Sequence, residues 1–142
     1  MIVVDASAIL EVLLRTPAAP PIEERLFERG ETLHAPHLVD LEILQVLRRY
    51  AASGEISVER ARESIDDLAA FRLRRWAHDA LASRIWDLRQ NLTAYDAAYV
   101  ALAAPLLTRD RRIASARGIR TRVEVVRGRA ALPVALTRAP LR

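Results

Sequence analysis

The sequence predicts an α/β fold of three layers, in which a central, mainly parallel sheet is flanked by helices. Short runs of β-branched residues alternate with longer stretches of helical periodicity, as in chains that form parallel sheets. The first run, residues 1–4, is wholly apolar and reads as a buried strand. At 142 residues the chain has the length of one domain with a single core.

The first half of the chain shows two strands, each followed by helices. A helix at 6–15 follows the first strand up to a break at residues 16–21, and a short amphipathic helix is expected at 22–29, closed by Gly30. A second strand is expected at 32–35. Pro36 opens a helix at 37–52, and Ser57 is the expected N-cap of a further helix that runs to residue 70.

The second half continues the alternation. Residues 71–76 are ambiguous, and helices are expected at 79–90 and 93–104. A short buried strand at 106–108, a helical turn or two at 111–116 and a closing strand at 123–126 complete the sheet. Residues 1–126 are therefore the predicted domain. Residues 127–142, with two prolines and no acid, are predicted to be a loosely ordered basic C-terminal extension.

The composition excludes several kinds of chemistry. There is no cysteine, so the chain has no disulfide, thiolate metal site or cysteine nucleophile, and a cytoplasmic location is expected. All 22 basic residues are arginine, so a P-loop or a Schiff-base lysine is excluded as well. The apolar N-terminus carries Asp5 and Glu11 and lacks a basic n-region, which argues against a signal peptide and a membrane span.

The charge is distributed unevenly along the chain. Residues 1–108 hold 12 arginines and 16 acids, whereas residues 109–142 hold 10 arginines and two acids. Arginine suits phosphate groups, so this asymmetry indicates a polyanionic partner, with nucleic acid first. The alternative is a solvated surface or a disordered basic tail.

Two acids lie within two residues of the ends of predicted strands. Asp5 comes after the first strand and Asp110 after the strand at 106–108, and each precedes a helix. Ligands of parallel α/β sheets bind outside the carboxyl ends of the strands, so both carboxylates are expected at that edge. The alternative for Asp5 is a helix N-cap, with Ser7 as a competing cap.

Two further acids lie on predicted helices. Glu42 shares a helix face with Leu38, Val39 and Val46, all within about 60° of it. Its charge must therefore be compensated by a metal or an arginine, or be solvated in an open cleft. A partly exposed position paired with an arginine such as Arg49 is the alternative. Asp96 lies three residues after Thr93 in a pattern that resembles a capping box, a structural role that is compatible with a site at the same edge.

A cluster of carboxylates without lysine, cysteine or histidine partners is typical of a site for a divalent cation. The histidines, His34, His37 and His78, have no ligand spacing and are interpreted as structural. Trp76, Trp86 and Tyr99 are assigned to the core or to a dimer face. The arginines beside Asp110, namely Arg109, Arg111 and Arg112, are predicted either to contact substrate phosphates or to form outward salt bridges.

Four segments together resemble the PIN-domain ribonucleases, and most closely the VapC toxins of bacterial toxin–antitoxin modules. They are Val3-Val4-Asp5-Ala6-Ser7-Ala8, Pro36-His37-Leu38-Val39-Asp40-Leu41-Glu42, Leu92-Thr93-Ala94-Tyr95-Asp96-Ala97 and Leu107-Thr108-Arg109-Asp110-Arg111-Arg112. The resemblance extends from Met1 to about residue 126, and it rests on the ordered combination of the four segments.

The resemblance implies a metal-dependent endoribonuclease that hydrolyses RNA phosphodiester bonds. It implies Asp5, Glu42, Asp96 and Asp110 as catalytic ligands of Mg²⁺ or Mn²⁺, with Ser7 and Thr108 as polar residues beside them. It also implies a cognate VapB-like antitoxin as partner, a structured RNA such as a transfer RNA or ribosomal RNA loop as substrate, and a homodimer.

One connection is shorter than is usual in these proteins, since Asp110 follows Asp96 by 14 residues. A helix from Asp96 to Ala104 descends about 12 Å, and residues 105–110 can climb back about 16 Å as a strand, so Asp110 can still return to the same edge. Because Pro105 leaves almost no loop, the helix is predicted to unwind or end early. If Asp110 were displaced, the alternative would be a nonenzymatic RNA- or antitoxin-binding module with an impaired acidic site.

Overall fold

The computed structural model describes residues 1–102, 105–117 and 119–126. Its strands are β1 (Ile2–Val4), β2 (Leu33–Pro36), β3 (Leu73–Trp76), β4 (Leu106–Thr108) and β5 (Val123–Val125). They form one parallel sheet in the order β3-β2-β1-β4-β5. The predicted α/β fold with a parallel central sheet is confirmed. The basic extension expected at 127–142 lies outside the described residues.

Helices connect and flank the strands. They are α1 (Ala6–Leu13), α2 (Ala19–Leu26), α3 (Leu38–Ser53), α4 (Val58–Ala70), α5 (Ala82–Asp87), α6 (Ala94–Val100) and α7 (Arg111–Ser115), with a 3₁₀ turn at Asp79–Leu81. Gly54 ends α3 in the left-handed region at φ 76°, where a side chain would be strained. Ser57 caps α4 as predicted, because its hydroxyl accepts a hydrogen bond from the Arg60 amide at 3.0 Å. None of the helices in these described ranges has the length and apolar character needed to cross a membrane.

The order of the strands creates a crevice between β1 and β4. From β1 the chain proceeds outward through β2 to β3, and it then returns to the other side of β1 to form β4 and β5. The connection that follows β1 therefore runs to one side of the sheet, and the connection that follows β4 runs to the other side. Such a reversal opens a crevice between β1 and β4 at the carboxyl ends of the strands. Asp5 and Asp110 follow the two strands that border it.

The core is built around β1. Its residues Ile2, Val3 and Val4 have no exposed surface, and the helices on both sides pack apolar side chains against the sheet. All three residues of β4 are also buried, as expected for an inner strand of a parallel sheet. The carboxyl ends of these two strands are thus fixed by buried residues of the core.

Several predicted boundaries were wrong by a few residues. The second strand is Leu33–Pro36, and α2 begins at Ala19 because Pro20 and Pro21 fit the first turn of a helix, where no amide hydrogen is needed. The ambiguous stretch 71–76 contains β3, which pairs in parallel with β2. The helix expected at 79–90 is a 3₁₀ turn followed by the short α5.

The short connection after α6 is accommodated as predicted. The helix ends at Val100 and gives way to turn structure at 101 and 102, while residues 103 and 104 lie outside the described residues. The chain has reached the sheet by Pro105, whose carbonyl accepts a hydrogen bond from the Val3 amide at 2.8 Å. The helix thus ends four residues before residue 104, the end expected from the sequence.

Candidate active site

Asp5 occupies the carboxyl end of the central strand with its side chain almost wholly buried. Its backbone is extended, with φ −79° and ψ 152°, and its amide donates to the Leu107 carbonyl of β4 at 3.0 Å. The carboxylate makes no capping hydrogen bond to α1. Instead, Oδ2 accepts hydrogen bonds from the hydroxyls of Ser7 at 3.0 Å and Thr108 at 2.6 Å. The side chain of Asp5 therefore does not act as an N-cap.

Ser7 and Thr108 link this carboxylate to the segment that follows β4. The Ser7 hydroxyl accepts from the Arg109 amide at 3.0 Å, and the Thr108 hydroxyl accepts from the Asp110 amide at 2.9 Å. Both residues are buried, and their hydroxyl oxygens lie 3.4 Å apart. Each hydroxyl thus donates to Asp5 and accepts from one backbone amide, which fixes where the chain turns towards Asp110.

Asp110 lies at the same edge and begins α7. One carboxylate oxygen, Oδ1, accepts from the Arg112 amide at 2.8 Å, so Asp110 is the N-cap of this short helix. The Arg112 guanidinium also donates to Oδ2 at 2.6 Å. The Arg112 side chain is 71% exposed and that of Asp110 is 17% exposed, so the arginine lies at the surface while the carboxylate is largely covered.

Asp96 belongs to the first turn of α6, where the sequence predicted a capping arrangement. The Thr93 hydroxyl accepts from the Asp96 amide at 3.2 Å and donates to its carboxylate at 2.8 Å. The cap is therefore present, and it restricts the Asp96 side chain. A structural role in the cap and a role in the site remain compatible, since the carboxylate keeps further acceptor positions.

Glu42 accepts a hydrogen bond from a tyrosine, a partner that the sequence did not indicate. The Tyr99 hydroxyl donates to Glu42 Oε2 at 2.5 Å, and this joins α3 to α6. Tyr99 is 1% exposed and belongs to the core as predicted, but its hydroxyl also reaches the acidic site. Sequence reasoning missed this second role. The signal for it was a tyrosine, the one aromatic residue with an ionisable hydroxyl, three residues after Asp96 on the same helix face.

Two of the other acids act electrostatically on Asp5. Burial raises the pKa of Asp5 above its ordinary value, the hydroxyls of Thr108 and Ser7 partly offset this, and the negative charges of Asp96 and Asp110 raise the pKa further. Burial also raises the pKa of Tyr99 well above 10, as do the charges of Asp5 and Glu42. The fold therefore concentrates negative charge at the edge beside β1 and β4.

An all-oxygen set of donors fits a hard divalent cation such as Mg²⁺. The buried Asp5 carboxylate, whose hydrogen-bond donors are two neutral hydroxyls, would have its charged form favoured by such a cation. Within the ranges 1–102, 105–117 and 119–126, however, no three Asp, Glu or His side chains stand close enough together to hold one ion. The shared metal site thus stays a prediction.

The arginines near Asp110 differ in their surroundings. Arg112 is exposed and pairs with Asp110, and Arg111 is exposed on α7. Arg109 instead turns inward and forms an ion pair with Glu11 of α1, with Nε and Oε1 3.2 Å apart. Glu11, which is 7% exposed, is a buried acid whose pairing could not be predicted from the sequence.

The histidines lie among structural contacts. The Trp76 indole donates to His34 Nδ1 at 3.0 Å and stacks on its ring, and His78 Nε2 accepts from the Leu38 amide at the start of α3. Burial lowers the pKa of His34, so its neutral form is favoured. Trp86 is 67% exposed and does not belong to the core of the described residues.

Comparison with solved structures supports this fold. The structure of PAE2754 from Pyrobaculum aerophilum aligns with a TM-score of 0.60 over 87% of this chain and 83% of that one. The two sequences are 24% identical, so this likeness establishes the fold alone. The family model described as PIN domain matches residues 2–119, which include the strand ends and the helices that carry the four acids.

Curated relatives match over almost the same length. Ribonuclease VapC1 of Mycobacterium tuberculosis is 41% identical over 130 residues, which is 88% of this chain and 97% of the relative. Ribonuclease VapC12 of the same organism is 38% identical over 89% of this chain and 99% of the relative. VapC ribonuclease Mb0985 of Mycobacterium bovis is 43% identical over 75% and 80%. The chain therefore belongs to the PIN-domain family and, within it, to the VapC group.

Proposed function

We propose that this protein is the endoribonuclease toxin of a toxin–antitoxin module and hydrolyses RNA phosphodiester bonds with Mg²⁺ or Mn²⁺. The observation that carries the proposal is the buried Asp5 carboxylate at the β1–β4 crevice, held by Ser7 and Thr108, with the charges of Asp96 and Asp110 close enough to raise its pKa. The relatives that match most of the chain are named ribonucleases. They favour the enzyme over a nonenzymatic binding module.

Asp5, Glu42, Asp96 and Asp110 would hold the cation. When bound, a divalent cation would offset the charge of the phosphodiester and make water a stronger nucleophile at neutral pH. Ser7 and Thr108 keep the Asp5 carboxylate in one orientation, and Tyr99 does the same for Glu42. The absence of a lysine or histidine in this set is consistent with the mechanism, because the carboxylates themselves can accept protons from water.

The partners of the reaction are part of the proposal. RNA, such as transfer RNA or a ribosomal RNA loop, would approach the acidic edge, and the exposed Arg111 could contact its phosphates. A VapB-like antitoxin would bind the toxin, and two copies of the chain would form a homodimer. We also propose a cytoplasmic location, since both the RNA substrate and the antitoxin would be met there.

The proposal is tested by incubating the purified chain with a labelled pool of total RNA. We expect cleavage with Mg²⁺ or Mn²⁺, no cleavage with EDTA, and recovery when excess metal is added back. Asp66→Asn is the matched control, because it removes an exposed carboxylate on α4 and should leave the rate unchanged. RNA binding without cleavage under all metal conditions would contradict the proposal.

Tyr99→Phe is expected to lower kcat by about 10- to 100-fold, the usual effect of losing a group that orients a metal ligand. The ring would remain buried and the fold intact, but Glu42 would lose the hydroxyl that restricts its rotamer. Single-turnover cleavage and the thermal midpoint are the measurements. Tyr50→Phe, which changes another buried tyrosine, is the control. Equal rates for the two variants would remove Tyr99 from the site.

A further inference from the structure

Arg109 lies between Thr108 and Asp110, next to two residues of the candidate site. An arginine beside a catalytic acid of a nuclease is most simply interpreted as a phosphate-binding residue, and the structure shows a different arrangement. The Arg109 side chain is 13% exposed, and that of its partner Glu11 is 8% exposed. One guanidinium nitrogen, Nη1, is buried without a hydrogen-bond partner among the described residues. The side chain therefore points inward. In an outward position, water could accept hydrogen bonds from every guanidinium N–H group.

Glu11 is itself held in place. Its second carboxylate oxygen accepts a hydrogen bond from the Thr16 hydroxyl, and that hydroxyl accepts from the Ala18 amide at 3.2 Å. The Thr16 amide also donates to the Glu11 carbonyl at 3.0 Å. The turn between α1 and α2 thus fixes the carboxylate that pairs with Arg109. A fixed partner allows the ion pair to define a position rather than follow the movement of a flexible side chain.

Arg109 is bound at two points along one face of α1. Its backbone amide donates to Ser7, and its guanidinium pairs with Glu11, four residues further along the helix. Residues four apart lie on the same helix face. The Ser7 hydroxyl that receives the amide also donates to Asp5, and the next amide in the chain, that of Asp110, donates to Thr108. A shift of Arg109 would therefore disturb Asp5 and Asp110 together.

We propose that Arg109 is a positioning residue, which the Glu11 ion pair fixes against α1 so that Ser7, Asp5 and Asp110 keep their relative places, and that it does not bind RNA phosphate. This inference rests on the proposed nuclease function. Glu11, which has no contact with RNA in this proposal, should therefore affect catalysis as much as Arg109 does.

The test compares Glu11→Gln, Arg109→Gln, the double variant and Arg109→Lys, with Arg111→Gln and Glu24→Gln as matched exposed controls. The probe is a fluorescent oligonucleotide that contains one cleavage site mapped in the RNA pool. We expect each single Gln variant to lower kcat by about 10- to 100-fold with little change in KM. The double variant should be no slower than the slower single variant, because both changes disrupt one unit. Arg109→Lys should recover part of kcat.

Arg111→Gln should give the opposite pattern, a higher KM and a weaker dependence of KM on salt, as expected for a phosphate contact. The positioning role is overturned if Arg109→Gln shows that pattern while Glu11→Gln behaves like wild type. It is also overturned if the Gln variants only lower the thermal midpoint and keep the wild-type kcat at a temperature well below it.

A readout besides activity separates this inference from the proposed function. Mn²⁺ binding by calorimetry should weaken about 10-fold or more in both single Gln variants. Failure of the wild-type chain to cleave RNA or bind Mn²⁺ would overturn the proposed function. Wild-type cleavage and Mn²⁺ binding, with unchanged Mn²⁺ affinity and kcat in Glu11→Gln, would overturn the positioning role alone.

Discussion

Asp5→Asn is expected to abolish RNA cleavage and, at neutral pH, to raise the thermal midpoint of the metal-free protein. Burial raises the pKa of Asp5 in the folded chain, so ionising this carboxyl costs the folded state more than the unfolded state. The stability that the protonated Asp5 carboxyl contributes is therefore fully present below the pKa that Asp5 has in the unfolded chain. This contribution is lost as the pH rises through the higher pKa that Asp5 has in the folded chain. Asparagine, which carries no charge, can still accept hydrogen bonds from Ser7 and Thr108.

The two effects are measured separately. The thermal midpoints of wild type and Asp5→Asn are measured in EDTA over a series of pH values from acidic to neutral. The difference between the two midpoints should grow with pH. Adding Mg²⁺ should then stabilise wild type and leave Asp5→Asn unchanged, because binding to the folded state stabilises it. Cleavage should fall by at least about 10²- to 10³-fold, as for the loss of one group that stabilises a transition state electrostatically.

A difference in midpoint that does not depend on pH, or a lower midpoint for Asp5→Asn at neutral pH, would contradict the conclusion that the buried charge of Asp5 destabilises the folded chain. Asp66→Asn is the control for both measurements, because that carboxylate is exposed on α4. An exposed carboxylate has no burial cost to relieve, so its removal should leave the midpoint and its pH dependence nearly unchanged.

Asp110→Asn is expected to reduce cleavage by a similar factor, about 10²- to 10³-fold, while the fold is preserved. Asparagine caps a helix about as well as aspartate, so the hydrogen bond from the Arg112 amide should survive and only the negative charge is removed. Because the charge of Asp110 raises the pKa of Asp5, the variant should also titrate Asp5 at a lower pH. The acidic limb in the pH profile of the variant's residual activity should therefore lie at a lower pH than that of wild type.

Arg112→Gln is the matched control for Asp110. It removes the guanidinium that pairs with the Asp110 carboxylate and leaves the carboxylate itself in place. Cleavage by this variant should stay within a few-fold of wild type, since the Asp110 carboxylate keeps its charge and its hydrogen bond from the backbone amide of residue 112. Full activity in Asp110→Asn together with loss of activity in Asp5→Asn would define a three-acid site, and would show that the short connection had removed Asp110 from it.

The connection itself illustrates how far a sequence argument can extend. Chain lengths and the rise of helices and strands were enough to predict that Asp110 could return to the edge of Asp5 and that α6 would end early. The helix ends at Val100, and Asp110 lies beside the segment that Thr108 and Ser7 hold. Whether Asp110 binds a metal depends on side-chain rotamers, which chain length does not constrain.

Apart from β3, which the ambiguous stretch 71–76 did not predict, the local pattern of the chain determined the fold class, the order of its strands and helices and the carboxylates that follow β1 and β4. These features depend on repeats of two and 3.6 residues and on which residue follows a strand, all of which can be read from neighbouring positions. The caps at Ser57 and Thr93 were predicted for the same reason, because cap and amide are three residues apart.

Only the tertiary structure decided which distant residues the functional side chains contact. Tyr99 reaches Glu42 across 57 positions of sequence, and Thr108 reaches Asp5 across 103. Such contacts depend on how each helix is rotated against the sheet and on which strand lies next to β1. The inward turn of Arg109 onto Glu11 has the same origin. Packing of the whole core sets these rotations, so no short stretch of sequence contains them.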